Sequence, residues 1–286
     1  MAGTLFVVAT PIGNLEDLTF RALRTLKEVD LIAAEDTRRT AKLLAHYGVS
    51  KPMVSLREHN ERRESSRLVA RLASGESIAL VSDAGTPGIS DPGAELVAAA
   101  RHAGIKVVPI PGASAVTAAL SAAGVAASEF VFLGFPPHGS GQRAEWFGNL
   151  EEEMRTVVFF EAPHRIAETI GRLAKLSPSR QAFVFSELTK LHEREVVSES
   201  SWLSGGVVNA QGEFVIVLGP ASMQIGSADV KARAALLVGD LTKGKPLEFA
   251  MAVKVAAHLL GTRESMVTNA VRKQSISAKR QNDGAP

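Results

Sequence analysis

A short apolar run followed by a long loop rich in glycine and proline occupies residues 78–93, which read IALVSDAGTPGISDPG. The run Ile78–Ser82 predicts a buried strand. The loop from Ser82 to Gly93 leads to a helix, for which Ser90 or Asp91 is the expected N-cap and Pro92 the first helical residue. Ordinary connections in α/β proteins are about 2–6 residues long. The longer loop therefore indicates a ligand-binding segment at the carboxyl end of a strand.

Similar apolar runs alternate with helix-length segments through the first part of the chain. They are Leu5–Ala9, Leu31–Ala34, Met53–Leu56 and Lys106–Pro109. This alternation is typical of βαβ units that build a mostly parallel sheet. We therefore predict an α/β domain over residues 1–113.

Residues 114–226 predict a second α/β domain, with helices at Ser114–Ala123 and His164–Leu176 and a loop at Pro136–Gln142. Its expected strands are Phe130–Phe135, Thr156–Phe160, Ala182–Phe185, Glu195–Ser198 and Phe214–Leu218. Because the stretch 195–218 contains mainly strand and turn signals, we expect a mixed sheet with antiparallel members. Residues 227–286 predict a helical appendage, with helices near 229–240, 246–260 and 263–275 and a polar end.

Composition and charge exclude several classes of function. The chain of 286 residues contains no cysteine, which excludes disulfides, cysteine-ligated metal sites and thiol nucleophiles. Its 32 basic and 30 acidic residues nearly balance. However, residues 227–286 carry 10 basic and 5 acidic side chains, so the C-terminal part is basic beside an acidic body. This asymmetry suggests a separate partner for the C-terminal part.

Neither a membrane span nor a signal peptide is expected. No stretch reaches the roughly 18 consecutive apolar residues of a membrane helix. The N-terminus enters an apolar strand without a basic region or a cleavage site. We expect a soluble cytoplasmic protein.

Two further loops follow predicted strands, Thr10–Asn14 and Pro109–Ser114. Taken alone, the first reads as a turn without a ligand, and Ser114 serves equally well as a plain helix N-cap. The chain lacks a complete glycine fingerprint for dinucleotides and a Walker-type phosphate loop, which argues against both kinds of site.

Taken together, these motifs resemble those of the ribosomal RNA small subunit methyltransferase I family, within the tetrapyrrole-methylase superfamily. The resemblance runs from Thr4 to Gly219 and is carried by Thr10–Asn14, Glu35–Arg38, Glu58–Glu61, Ser82–Gly93, Pro111–Ala115 and Glu161–Arg165. It implies a two-domain class III fold with S-adenosylmethionine in the interdomain cleft. It further implies a homodimer that methylates the 2′-oxygen of a cytidine in the decoding region of 16S ribosomal RNA.

The resemblance also implies which residues contact the cofactor, largely through backbone at strand ends. The expected contacts are Pro11, Gly13, Asp83, Ala84, Gly85, Ile89, Ala113, Ser114, Phe160, Glu161 and Leu188. Methyl transfer from a sulfonium needs no metal, and the dispersed histidines suggest none.

Three residues are candidates for the proton transfer or charge stabilisation that methylation of a hydroxyl requires. Histidine is a common general base near neutral pH, which makes His59 a candidate, but His59 equally suits a capping role. Glu35 is a second candidate base, although it could instead pair with Arg38. Lys190 would stabilise a developing alkoxide or contact a phosphate.

Basic residues on predicted helices are candidates for contact with RNA phosphates. They are Arg38, Arg39, Arg62, Arg63, Arg272 and Lys273. A solvated face paired with Glu61 and Glu64 is the alternative for the cluster at 62–71. A helical hairpin that stabilises a dimer is the alternative for the C-terminal part.

Other functions remain open at this point. One is an S-adenosylmethionine-dependent methylase of a tetrapyrrole or a protein side chain. Another is a non-catalytic RNA-binding protein that senses the cofactor. A nicotinamide oxidoreductase is the least favoured alternative, because the chain lacks the glycine fingerprint of such enzymes.

Overall fold

A computed structural model describes residues 2–176, 180–199, 212–221, 227–242, 248–259, 264–269 and 271–272. The chain divides into two units, one within residues 1–221 and one within 222–286. The first unit contains two five-stranded sheets. The predicted boundary between residues 113 and 114 lies inside this unit and stays a prediction.

The first sheet is built from residues 4–110. Its strands lie in the order β3-β2-β4-β1-β5, and each described pair of neighbours is parallel. The prediction of a parallel α/β sheet is therefore confirmed. The elements are β1 (Thr4–Val8), α1 (Phe20–Glu28), β2 (Leu31–Ala34), α2 (Thr37–His46), β3 (Met53–Ser55), α3 (Glu61–Ala73), β4 (Ile78–Val81), α4 (Ala94–His102) and β5 (Lys106–Ile110).

Helices cover both faces of this sheet, which explains why its central strands are apolar throughout. All four residues of β4 are buried. On one face Leu80 packs with Leu68 of α3 and Leu96 of α4 in one apolar cluster. On the other face the cluster includes Val81 and Leu26 of α1. Burial on both faces leaves the loops at the sheet edge as the place for function.

The second sheet has the order β6-β7-β10-β8-β9. Strands β6 and β7 are parallel, and the other described pairs are antiparallel, so the predicted mixed sheet is confirmed. Helix α5 packs on one face, and α6 and α7 pack on the other. The elements are α5 (Ala115–Ala123), β6 (Phe130–Phe132), α6 (Ser140–Glu152), β7 (Thr156–Glu161), α7 (Ile166–Leu176), β8 (Gln181–Ser186), β9 (Arg194–Glu199) and β10 (Phe214–Leu218).

Helix α6 was not predicted, and it begins at Ser140, inside the loop expected at Pro136–Gln142. The helix buries Phe147 and Leu150 together with the charged residue Arg143. A charged residue at a core position breaks the apolar period by which a helix is recognised in a sequence.

The second unit contains α8 (Ser227–Thr242), α9 (Phe249–Leu259) and further helical residues at 264–269 and 271–272. Their buried side chains are mostly small, and include Ala234, Val238, Ala252, Ala256 and Val267. The predicted helical appendage is therefore confirmed. Lys273 and the expected polar end lie outside the described residues. In the described part of the chain, no helix has the length and apolarity needed to cross a membrane.

Candidate functional site

The loops after β1 and β4 are joined by backbone hydrogen bonds. Thr10 N–H donates to the Gly85 carbonyl at 2.8 Å, and Gly85 N–H donates to the Thr10 carbonyl at 3.0 Å. Because β1 and β4 are parallel neighbours, their loops leave the sheet at the same edge. The two glycine- and proline-containing loops therefore form one connected surface.

A pocket of about 340 Å³ lies between this edge and the second sheet. It falls within the usual range of small-molecule sites, about 300–1,000 Å³. From residues 12–116 its wall includes Ile12, Ala84, Gly85, Thr86, Ile89, Ser90, Asp91, Ser114, Ala115 and Val116. From residues 135–215 the wall includes Phe135, Phe160, Glu161, Ala162, Pro163, Glu187, Leu188, Lys190, Glu213, Phe214 and Val215.

Most of the predicted cofactor contacts line this pocket. They are Ala84, Gly85, Ile89, Ser114, Phe160, Glu161 and Leu188. Ser114 is the N-cap residue of α5, yet its hydroxyl makes no capping hydrogen bond. The structure thus brings together segments that are separated by about a hundred residues of sequence.

Four predicted cofactor contacts are not among the residues that line the pocket: Pro11, Gly13, Asp83 and Ala113. A Cβ on Gly13 would lie 2.8 Å from the Leu188 carbonyl oxygen, and Asn14 N–H donates to Thr189 Oγ1 at 3.1 Å. Gly13 therefore allows the first loop to approach residues 188–190 closely. Pro11 is buried, and the Ala113 carbonyl accepts from Thr86 Oγ1 at 3.3 Å.

Asp83 joins the ends of β2 and β4. Its Oδ1 accepts from Asp36 N–H at 2.9 Å, and its own N–H donates to Glu35 Oε2 at 3.2 Å. Its other oxygen pairs with Arg39 at 3.3 Å. These contacts give Asp83 a structural role at the sheet edge.

The helix after the long loop begins later than expected. Helix α4 starts at Ala94 with Gly93 as its N-cap, so Ser90 and Asp91 lie outside it and their predicted capping role is wrong. Glu61 Oε1 accepts from Gly93 N–H at 2.8 Å and from Glu95 N–H at 2.9 Å. A carboxylate from α3 thus replaces the local cap.

Asp91 instead lines the pocket, and sequence reasoning missed it. Burial raises the pKa of Asp91 to about 6, assisted by the negative charges of Glu35, Asp83 and Glu213 and opposed by a hydrogen bond with Ser82. Burial likewise raises the pKa of Glu35. A second acidic residue in a glycine-rich loop was the available signal, but a capping role explained it equally well.

Lys190 lines the same pocket and is held by two carboxylates. Its Nζ lies 2.9 Å from Glu187 Oε1 and 3.5 Å from Glu213 Oε2. Burial lowers the pKa of Lys190, but the hydrogen bonds and charges of these two partners outweigh burial and raise it. Lys190 is therefore a cation at neutral pH.

The candidate bases Glu35 and His59 are not among the residues that line the pocket. His59 is exposed in a short 3-10 helix, Glu58–Asn60. Glu35 Oε2 accepts a hydrogen bond from Asp83 N–H, and Arg38 pairs with Asp36 at 2.7 Å rather than with Glu35. Their catalytic roles stay predictions.

The predicted RNA-binding arginines lie on exposed helical positions. Arg38 and Arg39 are in the first turn of α2, and Arg62 and Arg63 are in the first turn of α3. Arg63 and Arg67 each lie 3.1 Å from Glu64, so part of this cluster forms the paired charged face given as the alternative. In the second unit Arg272 is exposed.

Glu161 forms the centre of a buried ion network. Its carboxylate lies 2.8 Å from Arg143 Nη2 and 2.9 Å from Arg165 Nε, and it accepts hydrogen bonds from Thr169 Oγ1 and Ala162 N–H. Burial raises the pKa of Glu161, but these partners outweigh burial and lower it. The carboxylate is thus fully engaged by protein groups, and Arg143 is a partner that sequence reasoning missed. Among the described residues, no group of three or more histidine, aspartate or glutamate residues could hold a metal ion.

Comparison with known proteins finds one matching family model and similar proteins in other organisms. Residues 4–201 match the family model "Tetrapyrrole (Corrin/Porphyrin) Methylases". A ribosomal RNA small subunit methyltransferase I from Pseudomonas aeruginosa is 42% identical over 282 residues, which cover 96% of this chain and 99% of that protein. The protein of the same name from Neisseria meningitidis serogroup B is 49% identical over 225 residues, or 77% of each chain.

A solved structure shares the fold at low sequence identity. The crystal structure of uroporphyrin-III C-methyl transferase from Thermus thermophilus, complexed with S-adenyl homocysteine, is 20% identical with a TM-score of 0.55. The similarity covers 76% of this chain and 97% of that one.

Proposed function

Because the chain belongs to the ribosomal RNA small subunit methyltransferase I family, we propose that it methylates the ribose 2′-oxygen of a cytidine in the decoding region of 16S ribosomal RNA. The methyl donor is S-adenosylmethionine. The observation that carries this proposal is the pocket at the carboxyl edge of the parallel sheet, whose wall contains the loop of residues 82–93. We also propose that the protein acts as a cytoplasmic homodimer, as the family resemblance implies.

The pocket residues fit such a donor. Ile89, Phe160 and Leu188 supply apolar surface for an adenine ring, and Gly85 and Ser114 supply backbone close to the sheet edge. The carboxylates of Asp91, Glu187 and Glu213 outnumber the ammonium group of Lys190, and this excess of negative charge in the wall suits a cationic ligand. Bound S-adenosylmethionine supplies a methyl group activated by its positively charged sulfur.

The acceptor hydroxyl must lose its proton as the new bond from oxygen to carbon forms and the bond from sulfur to carbon breaks. We assign Asp91 as the proton acceptor, because Asp91 lines the pocket and Glu35 is not among the residues that line it. A pKa of about 6 leaves Asp91 ionised at neutral pH but basic enough to take the proton. Lys190 lies in the same wall and would stabilise the negative charge that develops on the hydroxyl oxygen.

The exposed arginines account for binding of a large anionic substrate. Arg38, Arg39, Arg62 and Arg63 would contact backbone phosphates, and Arg272 and Lys273 would contribute from the basic C-terminal part. Phosphate contacts position the RNA but do not select the base. Selection of the cytidine therefore requires other groups.

Methyl transfer to small ribosomal subunits that lack the modification tests the proposal directly. Labelled S-adenosylmethionine is incubated with the protein and with small subunits, free 16S RNA or large subunits, and the labelled nucleotide is mapped with nucleases. We expect a single ribose-methylated cytidine in small-subunit RNA, and loss of the label with Asp91→Asn. Saturable donor binding without transfer to any RNA would contradict the proposal and favour a cofactor sensor.

A further inference from the structure

A second pocket of about 710 Å³ adjoins the pocket of about 340 Å³ described above, which we call the donor pocket. The two share Ile12 and Ser114, so these residues mark where the pockets lie side by side. Hydroxyl groups are prominent in the wall of the second pocket, from Thr19, Thr117, Ser121 and Thr189. The proposed methyl transfer assigns no role to the second pocket.

The wall also contains Asp17, whose Oδ2 is buried and has no hydrogen-bond partner among the residues that the structure describes. Asp17 ends a 3-10 helix, Leu15–Asp17, anchored by Asn14: the Asn14 carbonyl accepts from Asp17 N–H at 3.1 Å, and Asn14 Oδ1 accepts from Glu16 N–H at 3.0 Å. The nearby Tyr47 hydroxyl donates to the Leu15 carbonyl instead.

A buried carboxylate oxygen without a donor is costly, and such groups usually mark the place of a water, an ion or a ligand. The missing group must be a hydrogen-bond donor. Among the nucleobases, cytosine presents an exocyclic amine, and carboxylates are the side chains that accept from this amine. Enzymes that modify nucleotides often move the target base out of its stack into such a pocket.

We propose that the second pocket holds the base of the acceptor cytidine, with the Asp17 carboxylate accepting a hydrogen bond from the exocyclic amine. A base in this pocket places its ribose towards Ile12 and Ser114, where the pocket meets the donor pocket. Asp17 thereby selects cytosine over uracil, whose carbonyl oxygen at the same position would face the carboxylate without a proton between them. This inference rests on the proposed function and adds the group that recognises the base.

The test compares Asp17→Asn with wild type on reconstituted small subunits that carry either cytidine or uridine at the target position. An asparagine amide can donate as well as accept, so it accommodates both bases. We expect the ratio of kcat/KM for cytidine over uridine to fall by about 10- to 100-fold, the range of one hydrogen bond to a charged group. Glu16→Gln is the matched control, because Glu16 is exposed on the same short helix and should leave the ratio unchanged.

The outcomes separate the two proposals. A wild-type protein that methylated no cytidine would overturn the proposed function. An active wild type together with an unchanged ratio in Asp17→Asn would overturn the base assignment alone, since a structural role would weaken both substrates equally. Weaker S-adenosylmethionine binding by Asp17→Asn, measured by calorimetry, would also overturn it, because the carboxylate would then serve the donor.

Filling the pocket provides a second, independent variant. Ser121 is exposed on α5 and lines the second pocket but is not among the residues that line the donor pocket. We expect Ser121→Leu to raise the KM for small subunits severalfold and to leave donor binding unchanged. An unchanged KM would show that the acceptor does not enter this space.

Discussion

The carboxylate of Glu61 accepts a hydrogen bond from the backbone N–H of Gly93 at 2.8 Å, and so joins the start of α3 to the end of the long loop. The same oxygen accepts from Glu95 N–H at 2.9 Å. Glu61 therefore caps a helix 32 residues away in sequence. This contact holds the loop that forms much of the donor pocket.

Replacing Glu61 with alanine should destabilise the protein by about 2 kcal/mol, because the buried N–H of Gly93 and the partly buried N–H of Glu95 lose a charged acceptor. Glu64→Ala is the matched control: Glu64 is also buried on α3, but its partners Arg63 and Arg67 are exposed. We expect Glu64→Ala to lower the free energy of unfolding by about 1 kcal/mol or less. Urea unfolding measures both variants, and equal losses would contradict the capping role.

The methylation rate should depend on pH through Asp91. Because the pKa of Asp91 is raised to about 6, the carboxylate is protonated below that pH and ionised above it. We therefore expect kcat to rise with pH from about 5 to 7 and then to level off. Asp91→Asn should lower kcat by about 100-fold or more and remove this dependence.

Glu35→Gln gives a sharper test of the same assignment. The charge of Glu35 helps to raise the pKa of Asp91, so its removal should move the midpoint of the pH profile to lower pH. The measurement compares profiles of kcat against pH for wild type, Asp91→Asn and Glu35→Gln. A midpoint that did not move in Glu35→Gln would exclude Asp91 as the titrating group.

Gly13→Ala should disturb the contact between the first loop and residues 188–190. The added Cβ would lie 2.8 Å from both the Leu188 carbonyl oxygen and Thr189 Oγ1. We expect a loss of about 1–3 kcal/mol in stability and weaker donor binding. Gly141→Ala is the control, since it lies in α6 with open space around its Cβ and should be neutral or stabilising. Thermal unfolding and calorimetry provide the measurements.

Arg62→Gln should weaken RNA binding without affecting the donor. Arg62 is exposed on α3, and loss of one phosphate contact lowers the slope of log affinity against log salt by about 1. Lys106→Gln is a suitable control, because Lys106 is exposed at the start of β5, at the end of the sheet opposite the pocket. Filter binding to 16S RNA over a range of salt concentrations measures the slope. The same slope in Arg62→Gln and wild type would remove Arg62 from the RNA interface.

The order and type of most elements could be predicted from the sequence alone. Strand β4 is a continuous apolar run and helix α7 has apolar residues at helical spacing, and both patterns depend only on neighbours in the chain. Helix α6 escaped prediction because its buried Arg143 finds its charge partner, Glu161, on β7. The local pattern contains no sign of that pairing.

The site was only partly predictable. The loop of residues 82–93 was recognisable by its length and its glycines, since these are local properties. Which of its carboxylates faces the pocket was decided by the strand order, which places β4 between β1 and β2 and so sets Asp83 against the end of β2 while Asp91 lines the pocket. The cap from Glu61 and the contact of Gly13 with residues 188–190 likewise join distant segments. The sequence determined the elements because periodicity is local, whereas tertiary structure alone decided these contacts because each needs two segments to meet in space.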